Sequence, residues 1–148
     1  PPRSTLFPYT TLFRSTILYI EDNLSNVELV EQILTIQRAD IELITNSFGK
    51  KAVPLSIEHC PDLILLDLNL PDIHGSIVLQ QLQSVEETRN IPVVIISADA
   101  MPHQLEKLLE AGAKRYLTKP LDIPEFLQLI QDYLPEDNMQ PNIISKKS

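Results

Sequence analysis

Residues 62–75 read DLILLDLNLPDIHG, where four apolar residues, Leu63 to Leu66, end on the carboxylate of Asp67, with Asn69 two positions on. Three further apolar runs close on chosen polar types. TILYI (16–20) runs into Glu21 and Asp22, IPVVIIS (91–97) ends on Ser97, and RYLT (115–118) ends on Thr118 ahead of Lys119. If these ends meet, one crevice holds three carboxylates, a hydroxyl and an ammonium. Carboxylates packed together repel, so burial favours their protonation, and a divalent cation reverses that preference. Mg2+ suits such a set, because it takes oxygen donors and commonly sits between carboxylates and a phosphate. A main-chain carbonyl just after Asp67 adds a further oxygen. Asp67 then stands as a nucleophile toward a phosphoryl group, while Lys119 and the Ser97 hydroxyl meet its oxygens. A carboxylate nucleophile needs no strong general base. The chemistry is phosphoryl transfer onto the protein itself.

Taken one at a time, each residue has a plainer use. Glu21 and Asp22 suit the positive end of a helix, and Asp67 suits a cap on the turn Asn69-Leu70-Pro71-Asp72. Ser97 suits a turn, and Lys119 before Pro120 suits a solvated surface. The weight lies in their joint placement at four strand ends.

The elements that must position them alternate in type. TILYI (16–20), IELIT (41–45), LILL (63–66), IPVVIIS (91–97) and RYLT (115–118) read as strands, too apolar for a solvated face. Between them, Leu24, Val27, Val30 and Leu34 recur at helical spacing, as do Met101, Leu105, Leu108 and Leu109, and then Ile123, Phe126, Leu127, Ile130 and Leu134. GSIVLQQLQS (75–84) and a segment around 50–60 fill the other two gaps. Pro54 requires that second helix to begin late, near Val53, or to kink. Gly112 after LLEA suits the left-handed position past a helix end, and Pro124 suits a first turn. Five βα units in succession imply an α/β fold with a parallel sheet covered on both sides. In such sheets ligands bind beyond the carboxyl ends of the strands, where strand order reverses.

Composition bounds the rest. Residues Thr5 to Ser15, TLFPYTTLFRS, match one reading frame of a widely used sequencing adapter at every position, so residues 1–15 read as a non-native leader. Residues 16–134 then form one domain, and 135–148, with two prolines and no period, read as a disordered tail. The chain carries 12 Lys+Arg against 20 Asp+Glu, a balance that argues against a nucleic-acid face. No stretch approaches the ~20 apolar residues of a membrane span. Cys60 stands alone, which suits a reducing compartment, and reads as a small apolar filler near a helix end.

LYIEDN, LILLDLNLPDIHG, VVIISADA and YLTKPLD resemble the signature segments of response-regulator receiver domains, the CheY-like phosphoacceptors of two-component signalling, in order and with family-like spacing from 16 to about 134. The resemblance implies a flavodoxin-like (βα)5 three-layer sandwich with a five-stranded parallel sheet of order 2-1-3-4-5. It makes Asp67 the phosphorylated aspartate. Glu21 and Asp22 become the acidic pair serving Mg2+, and Asn69 supplies a backbone carbonyl ligand. Ser97 is the hydroxyl that moves onto the phosphoryl group, and Lys119 its lysine, with a cis bond to Pro120. Tyr116 falls at the aromatic switch position, with plain core packing as the alternative. Asn69 and Asp99 lie where the family tunes phosphate lifetime. Departures are few: Glu rather than Asp opens the acidic pair, and Pro54 disturbs the second helix.

Implied too are a histidine kinase or histidine phosphotransfer protein as partner, no nucleic acid, no membrane contact by this domain, and a cytoplasmic place. TILYIEDNLSNVELVEQIL further resembles receivers at the C-terminus of hybrid sensor histidine kinases, which would tether the domain to a membrane sensor; a stand-alone regulator is the other context. The chain is thus expected to be no enzyme beyond assisting its own phosphorylation and dephosphorylation. Competing classes are an unphosphorylated pseudo-receiver that only binds protein, and a haloacid-dehalogenase-type phosphatase, which needs an aspartate where Asn69 stands. A dinucleotide fold would need a glycine fingerprint that Gly49, Gly75 and Gly112 do not make.

Overall fold

The computed structural model describes residues 13–136, so residues 1–12 of the leader and 137–148 of the tail lie outside the described residues. Five strands alternate with five helices: β1 (Ser15–Ile20), α1 (Leu24–Gln37), β2 (Ile41–Asn46), α2 (Ala52–His59), β3 (Leu63–Asp67), α3 (Gly75–Ser84), β4 (Val93–Ser97), α4 (Pro102–Glu110), β5 (Arg115–Thr118) and α5 (Ile123–Tyr133). A 3-10 turn, Gly49–Lys51, leads into α2. All strand pairs are parallel, in the order β2-β1-β3-β4-β5. This is the flavodoxin-like order 2-1-3-4-5. β1 takes in Ser15, paired with Ile41, one residue before the boundary set at Thr16; ladder bonds are made by backbone and hold for any residue but proline.

Side chains alternate across a strand with period two, and the sheet uses both faces. Ile17, Tyr19, Leu63, Leu65, Val94 and Ile96 join one apolar cluster with Ile33 of α1 and Phe126 of α5. Leu18, Ile20, Ile64, Leu66, Val93 and Ile95 join the other with Leu79 of α3 and Leu105 of α4. β3 and β4 are buried at every position, which is why Leu63 to Leu66 and Val93 to Ile96 read as unbroken apolar runs.

Several local expectations shift. β4 starts at Val93, because Pro92 has no N–H for the ladder; its carbonyl still accepts from Ile64 N–H at 2.9 Å. Pro54 sits third in α2, within the first turn, where a missing N–H costs no intrahelical bond. Gly112 takes φ +121 after α4. Leu24 and Met101 are 69% and 66% exposed, because one precedes the packed part of α1 and the other is the N-cap of α4. Cys60 is no filler. It is exposed and ends α2 in the left-handed region at φ 49.

Candidate functional site

Register brings the polar strand ends together. Ile20 pairs with Leu66, so Glu21 follows beside Asp67; Asp67 pairs with Ile96, so Ser97 lies one step beyond; Ser97 pairs with Thr118, so Lys119 comes next. Glu21 N–H donates to Asn46 O at 3.0 Å and Lys119 N–H to Ser97 O at 3.0 Å, which extends the ladder past the strands. An oxygen from each of Glu21, Asp22 and Asp67 lies within 4.8 Å of the others. Glu21 and Asp67 are buried, whereas Asp22 is exposed.

Lys119 bridges the two buried acids. Its Nζ is 2.7 Å from Glu21 Oε1 and 3.4 Å from Asp67 Oδ1. Tyr19 Oη–H donates to the same Glu21 Oε1 at 3.0 Å, and Asn23 N–H donates to Oε2 at 3.2 Å. Burial, and then the charge of Glu21, push the Asp67 carboxyl up to about 6; Lys119 and the Asn69 N–H act against that rise. One ammonium thus falls short of compensating the acids. An all-oxygen set short of positive charge fits a hard divalent cation.

Ser97 presents a different state. Its residue is 3% exposed, and its hydroxyl has no hydrogen-bond partner among the described residues. A buried unpaired polar group is costly, and function is one common reason it persists. Beside it, Asn69, His74, Asp99 and Gln104 line a cavity of about 60 Å3. Tyr116 is 42% exposed, which removes the core-packing alternative. With Pro102, His103, Leu105, Glu106 and Leu109 it lines an open groove of about 400 Å3. The Lys119–Pro120 peptide is cis.

The β3–α3 loop is held from two sides. Gly75 N–H donates to Leu68 O at 2.7 Å, and a Cβ at Gly75 would run into the Asp67 carbonyl oxygen and come within 2.7 Å of Leu68 Cα. Asp72 accepts from Gly49 N–H at 2.8 Å and Lys50 N–H at 2.9 Å, which ties the loop to the 3-10 turn. His74 caps α3 by accepting from Ser76 N–H at 3.1 Å. None of Tyr19, Asp72 and His74 was picked out from the sequence. Only Tyr19 had a usable signal: in a strand, residues two apart share a face, so Tyr-x-Glu aims a hydroxyl at a carboxylate.

Similarity to known proteins agrees with this geometry. The response regulator receiver domain family matches residues 17–131. The polar-differentiation response regulator DivK of Brucella ovis is 36% identical over 119 residues, covering 80% of this chain and 95% of that protein. The receiver domain of sensor histidine kinase PA1611 from Pseudomonas aeruginosa, solved with magnesium coordinated in its active-site cleft, superposes with TM-score 0.72 at 27% identity, covering 82% of this chain and 98% of that one. The Mn2+-bound form of response regulator Rcp1 superposes with TM-score 0.71 at 30% identity, covering 82% and 95%.

Proposed function

The chain belongs to the response regulator receiver domain family of two-component signalling, and from that premise we propose that Asp67 accepts a phosphoryl group with the help of Mg2+ and thereby changes the chain's affinity for a partner. The donor is a phosphohistidine on a histidine kinase or histidine phosphotransfer protein. An Asp67 carboxylate oxygen attacks phosphorus, the phosphorus–nitrogen bond breaks, and the imidazole leaves with its proton. Glu21, Asp22, Asp67 and the Asn69 backbone carbonyl would hold Mg2+. Bound there, it offsets the charge of the carboxylates and of the phosphoryl oxygens.

The chain's own groups do the rest. Lys119, whose ammonium lies 3.4 Å from Asp67 Oδ1, swings it onto a phosphoryl oxygen. The Ser97 hydroxyl donates to another. Its movement draws Tyr116 inward from its exposed place on the α4–β5 groove, changing that surface. Phosphorylation adds roughly −1.5 to −2 charge, and it shifts a partner only through differential affinity for the two forms. The carrying observation is the Ser97 hydroxyl, buried and without a partner among the described residues, next to a lysine-bridged acid cluster.

The test is incubation of the chain with acetyl phosphate, with and without Mg2+, read by intact mass. A metal-dependent phosphoryl adduct is expected in wild type and absent in Asp67→Asn. No adduct in wild type would leave a pseudo-receiver that only binds protein, and steady phosphate release would mark a phosphatase. Partner affinity is the second readout: equal affinity for the phosphorylated and Asp67→Asn forms discards the switch. A place at the end of a hybrid histidine kinase belongs to the same proposal, and coding sequence upstream of Thr16 tests it. Among the described residues no helix is long and apolar enough to cross a membrane.

A further inference from the structure

Tyr19 is fully buried, its ring enclosed by the cluster that α1 and α5 make with the sheet. Its hydroxyl donates out of that apolar surround to Glu21 Oε1 at 3.0 Å. The same oxygen carries Lys119 Nζ at 2.7 Å, and that ammonium also lies 3.4 Å from Asp67 Oδ1. Glu21 Oε1 therefore has one donor that can leave and one that cannot. A buried carboxylate oxygen stripped of its donors is expensive, and a lone Lys119 would be pinned to Glu21 by that cost.

We infer that Tyr19 is a positioning residue: its hydroxyl holds the Glu21 carboxylate in the rim, so that Lys119 is released toward Asp67 and its phosphoryl group without stranding Glu21. The inference rests on the receiver reading, and it adds a residue outside the acids, hydroxyl and lysine already assigned. A hydrogen bond from the apolar layer to a metal-holding carboxylate acts as outer-shell partners do, fixing the ligand's orientation.

Mg2+ titration by calorimetry of wild type, Tyr19→Phe, Glu21→Gln and the double variant tests it. Tyr19→Phe keeps the ring and loses only the hydroxyl, so the metal-free melting temperature is expected to stay close to wild type. Mg2+ affinity is expected to fall about ten-fold, the lower end of outer-shell losses. In the Glu21→Gln background the same change is expected to cost less than about two-fold, because coupled residues do not add. Equal affinity of wild type and Tyr19→Phe overturns the inference, as does an undiminished loss in the double variant. A wild type that binds no Mg2+ overturns the receiver reading beneath it instead.

Discussion

The two halves of the rim differ in how fully they are satisfied. At the β1 and β5 ends, Glu21 has a donor on each oxygen, from Tyr19, Lys119 and Asn23. At the β4 end, the Ser97 hydroxyl is as deeply buried and has none among the described residues. Asp67 stands between them, in reach of Lys119 and short of compensation. A complete half can hold its shape alone, whereas an incomplete half is shaped for something that arrives. On the proposed reading the first half gives stability and the second meets the phosphoryl group, and substitution in the metal-free chain can break that difference.

The largest effect belongs to the complete half. Lys119→Ala leaves two buried carboxylates without their ammonium and is expected to destabilise the metal-free chain at neutral pH by about 3 kcal/mol, as for a buried pair that loses one partner. Urea unfolding measures it. A loss near zero would mean that solvent already serves Glu21, and the contrast between halves would vanish.

An intermediate effect belongs to Asp67. Its folded value of about 6 exceeds the ordinary 3.8, so the folded chain binds a proton that the unfolded chain releases. Stability from this group is therefore greatest below about pH 4 and falls as pH rises toward 6. A drop of about 1–2 kcal/mol is expected after allowing for solvent at the rim. Unfolding midpoints of wild type and Asp67→Asn across that range check it, since the variant should lack the slope. A parallel slope in both would place the titrating group elsewhere.

The smallest effect sharpens the comparison from the other side. Ser97→Ala removes a hydroxyl that has no partner among the described residues, so stability is expected to stay within about 0.5 kcal/mol of wild type or to rise slightly. Adduct formation from acetyl phosphate is expected to slow in the same variant, because a donor to the phosphoryl oxygens is gone. A stability loss comparable with that of Lys119→Ala would show that Ser97 has a partner after all.

Much of this architecture is legible in the chain itself. Strands buried on both faces must be apolar throughout, so Leu63 to Leu66 and Val93 to Ile96 mark themselves out. Their ends are equally plain, because a carboxylate or lysine cannot continue such a run. Helical stripes are less faithful. Leu24, Met101 and Ile123 fit the period and are nonetheless exposed, since the period says which face turns inward but not where the neighbouring layer ends. Cys60 departs from its expected role for a related reason: a left-handed helix end is a backbone state that a cysteine side chain does not announce.

What the sequence determines unaided is the chemistry on offer: acids after β1 and β3, a hydroxyl after β4, a lysine after β5, and strands apolar enough to force those groups to one rim. Which atom meets which was decided only by the folded packing. Lys119 reaches Glu21 Oε1 at 2.7 Å and Asp67 at 3.4 Å, Tyr19 donates to the same Glu21 oxygen, and Ser97 is left without a partner among the described residues. Those outcomes depend on the register of four strands and on side-chain rotations set by neighbours from distant parts of the chain, so no local pattern could carry them.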